Sequence, residues 1–303
     1  MRIVFMGSPE FAVPSLEKLA NSQHNILAVV SGPDKRRGRG SKKEPTDVKR
    51  TALELKLPVI DVVDLNDSQF QDELKELNPD LLVVVAFRIL PREILDIPRK
   101  GSVNLHASLL PKYRGAAPIH HAVMNGETET GCTVFFINEK VDTGLIIDRK
   151  KTYIAPDETT GELYKRLKTL GADLLLESIN KIETGNYEPV QQNHSQSSPA
   201  PKLFREDARI DFNMSGPDVH NKIRGLSPFP GAWCMYEDKK MNLYRSAIGP
   251  DIDLKPGELA LSDDKLLAGC KEGTVELIEV QLPGTKRMSG REFANGYELK
   301  KLV

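Results

Sequence analysis

The sequence is short of the features that define whole classes of protein. It has only three cysteines, Cys132, Cys234 and Cys270. They are far apart, odd in number and without a neighbour at metal-ligand spacing, so neither a disulfide framework nor a cysteine-based metal centre is expected. Reduced thiols in a cytoplasmic protein fit that usage better. No apolar run approaches the roughly 20 residues that span a bilayer, and no membrane partner is expected. Charge of one sign is also lacking: 42 Lys and Arg face 43 Asp and Glu, a formal net charge of −1. Nothing therefore draws the whole molecule toward nucleic acid, and any such binding must be local. The strand-like Arg2-Ile3-Val4-Phe5-Met6 comes first, with no secretory or transit pattern ahead of it. The Gly-x-Gly-x-x-Gly fingerprint is absent too. Pro9 and Ala12 stand where its second and third glycines would fall, which disfavours a nicotinamide-dinucleotide enzyme.

What is present is an alternation of periods. Strand-like stretches at 2–6, 26–30, 59–60, 81–87, 102–106, 133–137 and 145–151 are interleaved with helical ones at 8–19, 48–57, 69–77, 119–125 and 159–182. This order predicts an α/β domain with a Rossmann-like, doubly wound, mostly parallel sheet. Such sheets bind ligands at the carboxyl ends of their strands. A run rich in Gln, Asn and Ser, stiffened by Pro199 and Pro201, reads as a linker. Beyond it, short strand-like pieces at 208–212, 232–236, 241–245, 257–261, 265–268 and 275–280 predict a small β barrel. The expected organisation is a catalytic domain over 1–186, a linker over 187–206 and a barrel over 207–303.

The most informative stretch is Asn104-Leu105-His106-Ala107-Ser108-Leu109-Leu110-Pro111-Lys112-Tyr113-Arg114-Gly115, answered 36 residues after His106 by Asp142. Alternate residues of a strand share a face, so Asn104 and His106 point the same way. An amide donor beside an imidazole suits acyl transfer: the amide stabilises a developing oxyanion while the imidazole supplies or moves a proton. A carboxylate on a later loop would orient that imidazole and favour its charged form.

The pattern Asn-x-His-x-Ser-Leu-Leu-Pro-x-Tyr-Arg-Gly, followed by an Asp-Thr-Gly loop, resembles that of the 10-formyltetrahydrofolate-dependent formyltransferases. The resemblance extends over essentially the whole chain. It includes the opening Met6-Gly7-Ser8-Pro9-Glu10-Phe11-Ala12, the Gly38-Arg39-Gly40 loop, the Arg224-to-Ala232 run at the start of the barrel, and Lys286-Arg287-Met288. It implies a Rossmann-like formyltransferase domain followed by a barrel similar to an OB fold. It implies Asn104, His106 and Asp142 as the catalytic trio and no metal. Ser108, Leu109, Leu110 and Pro111 would line the folate site, with backbone groups around Phe87 to Ile89 helping to hold the pterin. The donor would be 10-formyltetrahydrofolate. The acceptor would be the α-amino group of methionine on charged initiator tRNA, which places the reaction at translation initiation. A monomer is expected.

A charge run supports an RNA acceptor. Residues 34–43 carry six basic residues in ten, and a basic loop at the ligand-binding end of the sheet can grip an acceptor stem by its phosphates and 2′-hydroxyls. By resemblance Arg39 is the key contact, with Arg36, Lys42 and Lys43 beside it; a solvated loop is the plain alternative. The barrel from Asp207 onward is balanced, 14 Lys and Arg against 15 Asp and Glu, so only a local stripe such as Lys286 and Arg287 could touch RNA there. Phe229 and Trp233 are expected in the barrel core. Competing readings are formyl transfer to glycinamide ribonucleotide or to an amino sugar nucleotide, release of formate by hydrolysis, and a non-catalytic, folate-responsive RNA-binding protein.

Overall fold

The computed structural model of the protein describes residues 1–36 and 43–303. The chain forms two compact units. Met1–Gly115, Gly131–Lys151 and Lys165–Pro199 make the first, and Ala116–Thr130, Thr152–Tyr164 and Ala200–Val303 the second.

In chain order the elements up to the long helix are β1 (Arg2–Gly7), α1 (Val13–Ala20), β2 (Asn25–Ser31), β3 (Lys35–Arg36), β4 (Lys43–Glu44), α2 (Asp47–Glu54), β5 (Val59–Asp61), α3 (Ser68–Glu76), β6 (Leu81–Val85), α4 (Arg92–Leu95), β7 (Ser102–His106), α5 (Pro118–Met124), β8 (Glu129–Phe136), β9 (Ile146–Tyr153) and α6 (Thr160–Thr184). The first unit is built on a seven-stranded sheet of order β5-β2-β1-β6-β7-β8-β9. Its first five strands are parallel, and β8 runs antiparallel to β7. All five residues of β6, Leu-Leu-Val-Val-Val, are buried, as a parallel strand covered on both faces requires. Val4, Met6, Val30, Leu82 and Val84 meet Phe70, Leu74 and Ile94 on one face. The strand expected at 81–87 ends at Val85, because Ala86 turns the backbone to φ 49°. The chain winds from β1 to β2 and β5, then returns to β6 on the other side of β1. The carboxyl ends of β1, β6 and β7 therefore flank a topological switch point, the place where such sheets take ligands.

The polar run expected to be a linker is part of the first unit up to Pro199. Its composition cannot supply apolar burial, and it docks by hydrogen bonds instead. Val190 exchanges two backbone bonds with Ile146, and Ser198 accepts from the Arg114 backbone N–H.

The second unit continues with α7 (Gly216–Gly225), β10 (Ala232–Tyr236), β11 (Lys239–Ile248), β12 (Leu259–Ser262), β13 (Lys265–Gly269), β14 (Thr274–Gln281), β15 (Met288–Ser289) and α8 (Gly290–Gly296). The strands pair antiparallel in the order β10-β11-β14-β13-β12, with β15 added to β14. The two ends of this path are joined through the last residues. Val303 exchanges two backbone bonds with Met235 on β10, while Leu302 donates to Gly257 just before β12. Inside lie Leu243, Leu266, Val275, Leu277, Val280 and Phe293. The strand expected at 208–212 does not form; that segment bridges Trp233 through Ile210 and Ala208 and accepts from the Lys271 N–H at the Phe212 carbonyl. Phe229 was expected in this core and is instead 78% exposed. Its backbone is held on the surface by His120, whose Nε2 donates to the Phe229 carbonyl. Trp233 is partly buried against the core, with its indole N–H donating to the Arg205 carbonyl. No helix among the described residues is long and apolar enough to cross a membrane.

Candidate active site

Asn104 and His106 lie at the carboxyl end of β7, opposite Phe135 and Thr133 of β8. The strand places both side chains on one face. His106 is nearly fully buried. Its Nε2 donates to the Tyr113 carbonyl at 2.8 Å, and its Nδ1 stands 3.7 Å from Oδ2 of Asp142. The same carboxylate oxygen accepts from the Gly115 backbone N–H at 2.8 Å. The structure thus brings His106 and Asp142 together, as expected. The Asn104 amide makes no hydrogen bond with any described residue, so it remains free to donate.

The loop after β7 owes its shape to internal bonds. Ser108 Oγ donates to the Lys112 carbonyl. Thr133 Oγ1 donates to the Ser108 carbonyl and accepts from the Leu110 N–H. Tyr113 and Asp142 are held at φ 61° and 55°, a left-handed backbone that is uncommon outside glycine and clusters at functional sites. Gly144 completes the Asp-Thr-Gly loop because nothing larger fits: a Cβ there would lie 1.7 Å from the Phe136 carbonyl oxygen.

The other expected site residues are placed unevenly. Ser108 is fully buried, and Leu110 packs with Phe135 and Ile146. These two side chains help to build the loop. Leu109 and Pro111 are half-buried. Phe87 is half-buried, with the Arg88 guanidinium over its ring. Arg88 is fixed by donating to the carbonyls of Val62 and Val63. Ile89 is 74% exposed, a large apolar side chain left open beyond the end of β6, where a flat aromatic ligand could cover it. Of the basic loop, Arg39 and Lys42 lie outside the described residues. Arg36 and Lys43 pair with each other in the β3–β4 ladder. The feet of that loop are tied down: Lys49 pairs with Asp34 and Asp61, and Thr46 caps α2 by accepting from the Lys49 N–H. In the second unit Lys286 is exposed, whereas the Arg287 guanidinium lies 3.6 Å from the Tyr244 ring centroid.

Sequence reasoning missed Gln192. It is 3% exposed within the run read as a linker. Its amide N–H groups donate to the carbonyls of Asp142 and Gly144 at 3.0 and 2.9 Å. Its carbonyl accepts from Nε and Nη2 of Arg114 at 3.3 and 2.6 Å. One side chain thus ties the Asp142 loop to the loop that follows His106. No local pattern marks it, since one glutamine among several is visible only once the segment is seen to dock.

A strand-end amide and imidazole, with a loop carboxylate against the ring, on a doubly wound sheet suit an acyl-transferring enzyme. The formyl transferase family matches residues 1–179, and its C-terminal domain matches residues 202–298. Methionyl-tRNA formyltransferases are similar over nearly the full length. That of Chlorobium luteolum is 46% identical, covering 98% of this chain and 97% of its own. That of Flavobacterium johnsoniae is 41% identical, covering 98% and 96%. This chain belongs to the methionyl-tRNA formyltransferase family. Among solved structures, the sugar 3N-formyl transferase WlaRD, determined with dTDP and 5-N-formyl-THF, shares the fold at a TM-score of 0.69 and 20% identity, covering 94% of this chain and 99% of its own. HypX from Aquifex aeolicus in complex with tetrahydrofolic acid does so at 0.66 and 18%, covering all of this chain and 50% of its own.

Proposed function

We propose that this protein transfers the formyl group of 10-formyltetrahydrofolate to the α-amino group of methionine on charged initiator tRNA. The observation that carries the reading is the Asn104, His106 and Asp142 constellation in a chain 46% identical, end to end, to a methionyl-tRNA formyltransferase. Transfer to an amino sugar is the weaker alternative, since the sugar-directed neighbour named above shares only 20% of its sequence.

The reaction forms a C–N bond between the methionine amine and the formyl carbon and breaks the bond from that carbon to the folate nitrogen. One proton must pass from the amine to the leaving nitrogen. As the amine adds, negative charge develops on the formyl oxygen, and the free Asn104 amide can donate to it. His106 has one nitrogen committed to Tyr113, so its Nδ1 edge does the work. In the charged ring this edge donates, and in the neutral ring it takes a proton from the amine. The Tyr113 carbonyl holds the ring in that orientation, and the Asp142 carboxylate lies against its Nδ1 edge. Phe87 and Ile89 offer an apolar surface for the folate ring system. Arg39, Lys42 and Lys43 grip the acceptor stem, Arg39 most of all because a planar guanidinium can bridge two acceptors.

The decisive assay compares formylation of charged initiator and charged elongator tRNA; equal rates, or none with either, would overturn the reading. Arg39→Ala is expected to impair formylation of charged tRNA while folate affinity, measured separately, is unchanged. Normal kinetics across a range of salt would reduce the basic run to a solvated loop.

A further inference from the structure

A cavity of about 500 Å³ opens in the first unit beside the Asp142 loop, lined among others by Arg114, Lys140, His194, Asn138, Gln191 and Leu145. Neither Asn104 nor His106 lines it, and none of its lining residues is acidic. Arg114 and Lys140 are its cationic groups, and of the two only Arg114 has a carboxylate, Asp142, near it. The Lys140 ammonium forms no ion pair or hydrogen bond with any described residue. Nε2 of His194 is likewise unengaged, while its Nδ1 accepts from Nη2 of Arg114 at 3.0 Å. Arg114 is aimed by the two bonds from its Nε and Nη2 to Gln192, which leaves Nη1 without a described partner. Burial lowers the pKa of Arg114 more than the nearby Asp142 raises it. Donors that converge on an open cavity, positively charged and pre-aimed, make a site for an anion.

We propose that Arg114, Lys140 and His194 form an anion subsite for a negatively charged arm of one of the two substrates. The proposal rests on the reaction proposed above, which brings two such arms to this end of the sheet: backbone phosphates of the RNA acceptor and glutamyl carboxylates of the folate donor. Anionic oxygens are the chemistry common to both. The subsite borders the loop that carries Asp142, which contributes Lys140, and includes neither Asn104 nor His106, so binding there would seat a substrate without entering the chemical step.

The test is the double variant Lys140→Gln/His194→Asn, both positions being exposed, assayed with charged initiator tRNA and with monoglutamyl and triglutamyl donors. The expected result is a KM raised roughly three- to tenfold for one substrate, the range for a pair of part-exposed charge contacts, with kcat at saturation unchanged. If the arm is a phosphate, the tRNA KM rises and its salt slope falls by about one. If it is a glutamyl carboxylate, only the triglutamyl donor binds more weakly. Unchanged KM values for all three substrates and an unchanged salt slope would overturn the proposal. Calorimetric titration with inorganic pyrophosphate keeps it separate from the proposed reaction, because binding needs no turnover. Equal binding to wild type and double variant, or none to either, counts against the subsite even where wild type formylates normally. Weaker binding to the variant supports it even where wild type does not formylate charged tRNA.

Discussion

Around Asp142, three polar segments are held by hydrogen bonds between groups mostly withdrawn from water. Around Leu277, an antiparallel sheet closes over apolar side chains. The first region keeps Tyr113 and Asp142 at positive φ, a conformation that costs of order 1–3 kcal/mol per residue. Gln192, Thr133 and the Gly115 N–H offset that cost through bonds reaching across the chain. The second region is kept by burial of Leu243, Leu266, Leu277 and Phe293, and its non-glycine residues at positive φ, Glu237, Asp263 and Asp264, sit in the turns between strands rather than in that core. The contrast separates two kinds of damage. A hydrogen-bonded arrangement of loops can be broken while the sheet beneath it stays folded. An apolar core cannot be emptied without weakening its whole unit, yet the molecules that remain folded keep their chemistry.

The largest effect is expected where the polar region meets the reaction. His106→Ala should lower turnover roughly 100- to 10,000-fold, the usual cost of a positioned acid or base. Asn104→Ala should lower it about 100- to 1000-fold, the cost of one oxyanion donor. Both variants should stay folded, His106→Ala at a lower denaturant midpoint because the Tyr113 carbonyl loses its buried donor. Near-normal turnover by either would remove that residue from the mechanism. In the barrel, Leu277→Ala should do the reverse, lowering stability by about 2–5 kcal/mol through lost burial and a residual cavity. Its kcat per folded molecule should not change. A fall in that corrected kcat would show that the two regions are not separable in this way.

A smaller effect sharpens the comparison from inside the polar region. Gln192→Ala removes both donors to the Asp142 loop and the acceptor for Arg114, and should cost roughly tenfold to a hundredfold in turnover through misplacement of the carboxylate. Gln192→Glu keeps an acceptor for Arg114 but cannot donate to the two carbonyls, so it should be nearly as impaired in kcat. If Gln192→Glu turns over like wild type, the donors to Asp142 and Gly144 are dispensable and the loop is held from elsewhere.

The same contrast explains what could be read from the chain in advance. The β7 strand was legible to the residue, because Ser102 to His106 has the right length and alternation and ends in its chemistry. The parallel strands were legible because a buried run such as Leu81–Val85 fits few other environments. The placement of Asn104 and His106 on one face was legible from strand periodicity, although only the fold could bring Asp142 to the ring. Three things were not legible. The docking of 187–199 depends on hydrogen bonds that composition does not encode. The burial of Ser108 and Leu110 was not legible either, because inward or outward is a property of the loop's path rather than of the residues. Phe229 is apolar and was expected inside, but its backbone is anchored where the ring faces water.

The smallest predicted effect lies in the second unit and concerns pH. His220 is buried, with Nε2 donating to the Pro156 carbonyl at 3.1 Å and Nδ1 accepting from the Ser246 hydroxyl at 3.0 Å. Burial lowers its pKa below the ordinary 6.5, and the bond to Pro156 only partly restores it. The sign follows from which state binds the proton. Below about pH 6.5 the unfolded chain takes up a proton at this position that the folded chain excludes. The contribution of His220 to stability is therefore intact above that pH and is lost as pH falls toward its depressed folded-state value. The slope from one such group is at most about 1.4 kcal/mol per pH unit, well below the loss expected from Leu277→Ala. Urea unfolding at pH 7.5 and 5.5 measures it: wild type should lose more stability across that interval than His220→Gln, which can still donate to Pro156 but does not titrate. Equal losses in the two proteins would mean that His220 accepts its proton as readily folded as unfolded, and that the acid sensitivity of this unit comes from other groups.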